Sequence, residues 1–221
     1  MGRHRTPAPP RSAGQRVTVV AVIAGLLSAG AIVLSTSYST FSSTTNNTGN
    51  NWSVGSVVLA DDDSGSAMFV TSGAGANQIN AGTLKPGQSV VNCVRVTYTG
   101  SLASTVALYA SATGDSNGPG GTGLRNYLHV KVEEGTSGTF GCSGFAGATT
   151  IWDSATHPGA ASDLLSVFPT TYAAGVPSAL ASWTGPVSRT YRFTITVDSS
   201  TPDTSQSAAA SATFTWEARN S

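Results

Sequence analysis

The chain has 221 residues and no formal net charge at pH 7, and only 10% of its residues are charged, against about 25% in an average soluble domain. Ser, Thr and Gly together account for 85 residues. This composition argues against an intracellular helical protein, which is rich in Glu, Lys and Leu, against charged disorder, and against nucleic-acid binding, which needs an excess of basic residues. A weakly charged chain rich in Thr, Val, Ser and Gly is typical of extracellular all-β domains.

The N-terminus has the pattern of a secretory signal peptide, which we predict over residues 1–39. Four arginines and no acid precede an almost wholly apolar run at 17–35, the order of a basic n-region and an apolar h-region. A small-x-small site predicts cleavage after Ser39, with Thr40 as the new N-terminus, and 35–37 is a second candidate site. The run is also long enough for a membrane helix, so a retained anchor stays an alternative. Either outcome places the bulk of the chain outside the membrane, in the extracellular space or at the cell surface.

Loss of this segment changes the charge of the remaining chain. Seven basic and eleven acidic residues are left, a net charge of −4, in about 180 residues, which is enough for one sizeable core. We predict a flexible polar leader at 40–53 and a single domain at 54–221. Cys93 and Cys142 predict one disulfide in an exported chain. A thiol nucleophile or a metal ligand is the alternative, although neither cysteine has a CxxC or Cys–His spacing.

The predicted elements of the domain are strands and turns, with one short helix in a long loop. A β-turn is predicted at 85–88, with Pro86 in its second position, and the helix at 164–168, capped by Ser162 or Asp163 and ended by Pro169. The predicted strands span 54–59, 67–71, 89–99, 104–110, 127–133, 189–197 and 210–216. Short strands with regular turn signals indicate an all-β fold, an antiparallel two-sheet β-sandwich.

Three of these strands show period-2 alternation, which predicts the face that each side chain occupies. At 127–133 the apolar residues alternate with His129 and Lys131, which should point outward. Alternation is strongest at 189–197 and returns at 210–216. The polar segment 198–206 between them predicts that these two strands pair as an antiparallel hairpin.

Candidate catalytic or ligand-binding residues are few. The mature part contains only His129 and His157, and no HExxH or G-x-S-x-G motif. His129 is interpreted as a surface residue and His157 as a turn residue. Residues 118–123 match G-x-G-x-x-G by letter, but they open no predicted helix, so a flexible loop is favoured over a nucleotide site.

The acidic run Asp61, Asp62 and Asp63 is the candidate metal site. Clustered carboxylates after a strand suit Ca²⁺, which takes several oxygen ligands. The spacing departs from the EF-hand pattern, since Ser66 and Ser72 stand at its sixth and twelfth positions. A solvated turn between two strands is therefore preferred, and no cofactor is expected apart from this Ca²⁺ alternative.

Several short motifs, in their order and spacing, resemble the TasA/camelysin-like family of secreted bacterial matrix proteins, in its actinobacterial branch. The N-terminal motifs are the stretch at 36–43, which is similar to the family's T-(Y/F)-A-x-F-(S/T)-D, an Asn-rich spacer from Asn46, and an apolar motif that begins at Trp52. The matching segments are TSYSTFSS at 36–43, WSVGSVVL at 52–59, LKPGQSV at 84–90, TGSL at 99–102, YRFTITVD at 191–198 and FTWEA at 214–218.

The resemblance implies a jelly-roll sandwich, export through a dedicated signal peptidase, and a role as an extracellular-matrix protein that forms fibres. In fibre-forming members the N-terminal segment completes the sheet of a neighbouring subunit. Carried over to this chain, the leader at 40–53 becomes a donor strand that is loosely packed in the monomer, with Phe41, Trp52 and Val54 as assembly residues. The partner is then a second copy of the chain or another matrix component.

Two other functions stay open. Camelysin is described as a zinc-dependent protease, so the resemblance also implies a secreted metalloprotease, but a zinc site needs about three protein ligands and histidines are scarce here. A surface adhesin is the third reading. It would use a solvent-facing aromatic patch of Trp152, Trp183 and Tyr172, in the region 136–187 where periodicity is least clear.

Overall fold

Long alternating strands make up most of the protein, as a computed structural model shows. The structure describes residues 42–45, of which only the backbone is considered, and 55–121, 123–155 and 163–220. The predicted signal peptide, its cleavage site at Ser39 and Thr40, and the assembly residues Phe41, Trp52 and Val54 lie outside these ranges. No helix in the described ranges has the length and apolar character needed to cross a membrane.

The described residues form eleven strands and four short 3₁₀ turns. The strands are β1 (Ser42–Thr45), β2 (Leu59–Asp61), β3 (Phe69–Val70), β4 (Ile79–Asn80), β5 (Ser89–Tyr98), β6 (Ser104–Ser116), β7 (Leu128–Gly135), β8 (Thr149–Trp152), β9 (Val176–Pro177), β10 (Val187–Val197) and β11 (Ala209–Asn220). The 3₁₀ turns are Leu124–Tyr127, Leu165–Val167, Tyr172–Ala174 and Asp203–Ser205.

Two antiparallel sheets pack face to face. One has five strands in the order β2-β5-β10-β7-β8, and the other has four in the order β1-β11-β6-β9. The short strands β3 and β4 pair in parallel beside them. This arrangement confirms the predicted all-β, antiparallel two-sheet sandwich, and residues 41–221 make one compact unit.

The predicted hairpin between 189–197 and 210–216 is wrong. β10 lies in the five-stranded sheet and pairs with β5 and β7, whereas β11 lies in the other sheet and pairs with β6 and β1. The segment between them crosses from one sheet to the other through the turn Asp203–Ser205. Both strands have an apolar inner face, and these faces meet across the core.

The core confirms the predicted alternation of β7 and β10. Phe193 is fully buried and its ring lies 4.4 Å from that of Phe214 and 6.1 Å from that of Trp216, across the gap between the sheets. On β11 the alternation fails at Glu217, which is buried although its position faces outward. Tyr109 donates a hydrogen bond to Glu217 at 2.9 Å, and this contact satisfies the covered carboxylate.

The predicted helix at 164–168 is only one 3₁₀ turn, Leu165–Val167. Its purpose is packing, since Phe168 is buried between Trp152 and Phe214 at ring distances of 4.9 and 5.4 Å. Asp163 does not cap this turn, because its carboxylate binds His129 instead. Ser162 lies outside the described residues.

The predicted turn at 85–88 is present. The Gln88 N–H donates to the Lys85 carbonyl at 3.0 Å. Gly87 has a φ of +82°, a conformation in which glycine avoids the steric cost of a Cβ. The turn leads directly into β5, which begins at Ser89.

Candidate functional site

The first notable feature is the edge strand β1, which lies within the predicted leader. It pairs antiparallel with the C-terminal strand, from Ser42 opposite Arg219 to Thr45 opposite Trp216. The leader was expected to be loosely packed, but these four residues extend the four-stranded sheet. The rest of the leader, apart from β1, lies outside the described residues.

Beyond β1, the same edge of β11 is open within the part of the chain that the structure describes. Residues 209–214 pair only with β6 on their other side. An open edge exposes backbone N–H and C=O groups that can pair with another strand. β11 therefore has a short covered stretch and, next to it, a stretch without a described neighbour.

A cavity of about 1100 Å³ lies between the two sheets beside this open stretch. It occupies the end of the sandwich where β5 begins at Ser89, β10 ends at Val197 and β11 begins at Ala209, which we call the open end. Its apolar walls come from both sheets and from the loops around them. They include Met68, Phe69, Leu84, Val90, Val94, Leu124, Leu128, Leu165, Ile195, Val197, Phe214 and Trp216.

Two polar groups in the wall of this cavity are buried and have no hydrogen-bond partner among the described residues: the indole N–H of Trp216 and the hydroxyl of Ser205. Trp216 is 4% exposed and Ser205 is 6% exposed. Buried tryptophan N–H groups and hydroxyls are normally paired. Both residues line the cavity, but these two polar atoms have less than 1 Å² of accessible surface each.

The candidate calcium residues do not act as one cluster. The Asp62 carboxylate accepts hydrogen bonds from the backbone N–H groups of Arg95 and Phe140, both at 2.8 Å. Asp61 and Asp63 instead lie together at the rim of the cavity. Burial, followed by the charge of Asp63, raises the pKa of Asp61 to about 6.

Calcium binding at Asp61, Asp62 and Asp63 stays a prediction. No group of three or more metal-ligating residues is found within the described ranges. A titration with millimolar Ca²⁺, followed by the melting temperature, tests it: a bound ion would raise that temperature.

His129 is not the plain surface residue that was expected. Its Nδ1 lies 2.9 Å from Asp163 and its Nε2 lies 2.9 Å from Asp198. Burial lowers the pKa of His129, but hydrogen bonds to the two carboxylates outweigh it, and the net pKa is raised. A hydrogen bond from the Ser200 backbone, with that from His129, lowers the pKa of Asp198 to about 2.

The contacts of His129 with Asp163 and Asp198, which we call the His129 clamp, have a structural role and a chemical consequence. The clamp ties Asp163, and Asp198 at the end of β10, to β7. Because each nitrogen of His129 binds a different carboxylate, the three side chains do not converge on one point where a metal could sit. His157 lies outside the described residues, so the zinc-protease hypothesis stays untested at that position.

The opposite end of the sandwich, at Tyr98, Val187 and Asn220, is closed. Trp183 is fully buried there and its indole N–H donates to the Ser178 hydroxyl at 3.0 Å. The hydroxyl in turn donates to the buried Glu134 carboxylate at 3.0 Å. This chain of hydrogen bonds fixes the closed end.

The cysteine pair confirms the predicted disulfide. Cys93, on the outer face of β5, is bonded to Cys142, 49 positions away, with a Cα–Cα distance of 4.7 Å. The bond holds the loop that follows β7 over the five-stranded sheet. In this loop the ring of Phe145 packs against Arg192, whose guanidinium carbon lies 4.4 Å from the ring centroid.

Two other sequence hypotheses can be placed. Of residues 118–123 all but Thr122 are described. The Gly120 N–H donates to the Thr204 carbonyl at 3.0 Å, and Gly123 precedes a 3₁₀ turn, not a longer helix. The aromatic patch suggested for an adhesin is wrong, because Trp152 and Trp183 are 3% and 0% exposed. Tyr172 alone is partly exposed, and Arg219 stacks on its ring at 3.9 Å.

Sequence reasoning missed the residues that make the cavity distinctive. Trp216 and Ser205 belong to different parts of the chain and meet only through the sandwich. Asp163 and Asp198, which hold His129, are likewise distant in sequence. The only local signal was the apolar face of 210–216, which was read as ordinary core.

The fold and the site define a class: a disulfide-linked all-β sandwich with a four-residue edge strand and a cavity between its sheets. Comparison with protein-family models gives no match, and comparison with curated proteins gives no significant relative.

Proposed function

We propose that this is a secreted, non-catalytic structural protein of the extracellular matrix or cell surface, which assembles with further copies of itself by exchanging strand β1. The observation that carries the proposal is the pairing of β1, a four-residue edge strand that lies in the predicted leader and pairs with β11 alone. The N-terminal export signal and the resemblance to secreted matrix proteins support it.

Strand exchange requires little chemical specificity. A strand pairs through main-chain hydrogen bonds, so the same four residues make the same ladder with the β11 of another copy. The part of β11 that pairs with β1, from Trp216 to Arg219, is therefore equally suited to the chain's own β1 and to that of a neighbour.

The length of the leader allows the exchange. Nine residues, 46–54, join β1 to the first described residue of the domain, Gly55. Extended, nine residues span roughly 30 Å, which exceeds the radius of gyration of about 16 Å for a domain of this size. A β1 strand can therefore reach a neighbouring molecule while its own domain stays folded.

Crosslinking tests the exchange directly. Ser43 lies opposite Ala218 in the β1–β11 ladder, so a Ser43→Cys protein is mixed with an Ala218→Cys protein under assembly conditions and then oxidised. Exchange predicts covalent heterodimers. A mixture of Ser43→Cys with Thr213→Cys, which lies beyond the pairing, serves as the matched control and should give none.

Electron microscopy tests the assembly itself. Fibres are expected from the mature protein, and removal of residues 40–53 should abolish them while the circular dichroism spectrum keeps its β signature. Fibres of unchanged yield from the shortened protein would rule out strand exchange. Crosslinks found only within single chains would do the same.

A further inference from the structure

We propose that the cavity at the open end is a binding site for an uncharged apolar molecule, a long acyl chain with a neutral head group. The site meets the exchanged strand only at Trp216, which lines the cavity and lies opposite Thr45 of β1. The rest of the β11 wall is formed by residues 209–214, beyond that ladder.

The size and walls of the cavity define the main part of the ligand. Its volume of about 1100 Å³ is at the upper end of small-molecule sites, which span roughly 300–1000 Å³ and are mostly apolar. Val94, Leu128 and Phe214 bring both sheets and their aliphatic or aromatic surfaces to the wall. Such a space suits an extended hydrocarbon.

The charge of the rim excludes the commonest alternative, a fatty-acid anion. Asp61, Asp63 and Asp203 line the cavity, and no lysine or arginine is among its described lining residues. A carboxylate head group would meet like charges without a cation to pair with. A neutral head group meets no such repulsion.

The chain's own leader is a poor occupant by its sequence. If the β1–β11 register continued beyond Thr45, positions 47, 49 and 51 would stand opposite the inward-facing residues of β11. These positions are Asn, Gly and Asn. Polar or absent side chains do not complement the aliphatic and aromatic walls.

Fluorescence of N-phenyl-1-naphthylamine, an uncharged apolar dye, tests the site in the purified protein at pH 7.5. We expect saturable enhancement with one dye molecule per chain. 1-Monolauroylglycerol, an ester, should displace the dye, and laurate should need at least tenfold higher concentration. Equal displacement by laurate would overturn the assignment of an uncharged ligand.

Variants locate the dye. Ala212→Phe places a ring in the cavity and should abolish dye binding, whereas Val91→Phe, on the exposed outer face of β5, should leave it unchanged. Ala210→Leu replaces Ala212→Phe if that variant fails to fold.

Three results would overturn the proposal. The first is the absence of saturable dye binding. The second is dye binding that neither Ala212→Phe nor Ala210→Leu reduces. The third is strong binding that appears only after residues 40–53 are deleted, since the leader would then be the occupant. Fibre formation has no bearing on any of these outcomes.

Discussion

The two ends of the sandwich solve the same packing problem differently. Each contains a buried tryptophan between the sheets, Trp183 at the closed end and Trp216 at the open end. The Trp183 N–H is paired with Ser178, which leads on to Glu134. The Trp216 N–H has no partner among the described residues and its ring borders a cavity.

The difference separates stability from function. A buried polar group that is fully hydrogen-bonded makes a rigid structure, whereas an unpaired one is retained at a cost in stability. The disulfide-held loop covers the outer face of the five-stranded sheet near Cys93 and Arg192, in the middle of their strands. The open end keeps a cavity and an open strand edge, and both of our proposals lie on that side of the molecule.

Removal of the disulfide should have the largest effect. In the chain-entropy model, a crosslink between residues 49 positions apart contributes about 4 kcal/mol. Cys93→Ala/Cys142→Ala should therefore lower the free energy of unfolding in urea by about that amount. Thr190→Val, which removes only the hydrogen bond to Gly138 of the same loop, is the control and should lose about 1 kcal/mol. Equal losses would mean that the covalent bond adds nothing beyond loop contacts.

The paired tryptophans allow the sharpest test of the comparison. Trp183→Phe removes one of the two donors to the Ser178 hydroxyl, since the Leu180 N–H also donates to it at 3.1 Å. We therefore expect a loss of about 1 kcal/mol beyond the change in packing. Trp216→Phe keeps a ring in place and removes an unpaired N–H, so its loss should be smaller. Urea denaturation of both variants measures the difference. A larger loss for Trp216→Phe would show that its N–H is satisfied in the folded protein.

The sequence allowed the faces of the strands to be predicted, but not their neighbours. Alternation in β10 and β7 depends on local pattern, so Phe193 and Val132 were correctly placed inside. The pairing of β10 with β5 and β7 is decided by contacts across the whole chain, and a hairpin with β11 was the wrong local choice. The cavity was unpredictable for the same reason, because Ser205 and Trp216 meet only after both sheets have assembled.

The clamp on His129 gives a smaller, pH-dependent effect. The folded-state pKa of this histidine is raised, so its contribution is complete below the unfolded pKa of about 6.5 and is lost as the pH rises through the folded pKa. His129→Gln should lower the free energy of unfolding by about 1 kcal/mol at pH 5 and by much less at pH 9.

Lys131→Gln is the matched control for this clamp, since Lys131 is an outward residue of the same strand and lies 3.4 Å from Glu133. Its effect should be below about 0.5 kcal/mol and should show no step between pH 5 and 9. A His129→Gln loss that is the same at both pH values would mean that the proton of the imidazole plays no part.

The smallest expected effect is a gain in stability at the rim of the cavity. The pKa of Asp61 is raised to about 6 by burial and by the charge of Asp63, so the folded state holds the proton more tightly than the unfolded state. Protonation thus stabilises the fold as the pH falls from about 6 towards 4, and the charged carboxylate is a penalty at higher pH. Asp61→Asn should melt at a higher temperature than the native protein at pH 7.5. The gain in the free energy of unfolding should be less than about 1 kcal/mol, because Asp61 is partly exposed. At pH 4 the two should melt alike.

Asp203→Asn, an exposed change at the same rim, should show no such pH-dependent gain. A gain of equal size for Asp203→Asn would indicate general relief of acidic charge at the open end and not a buried Asp61.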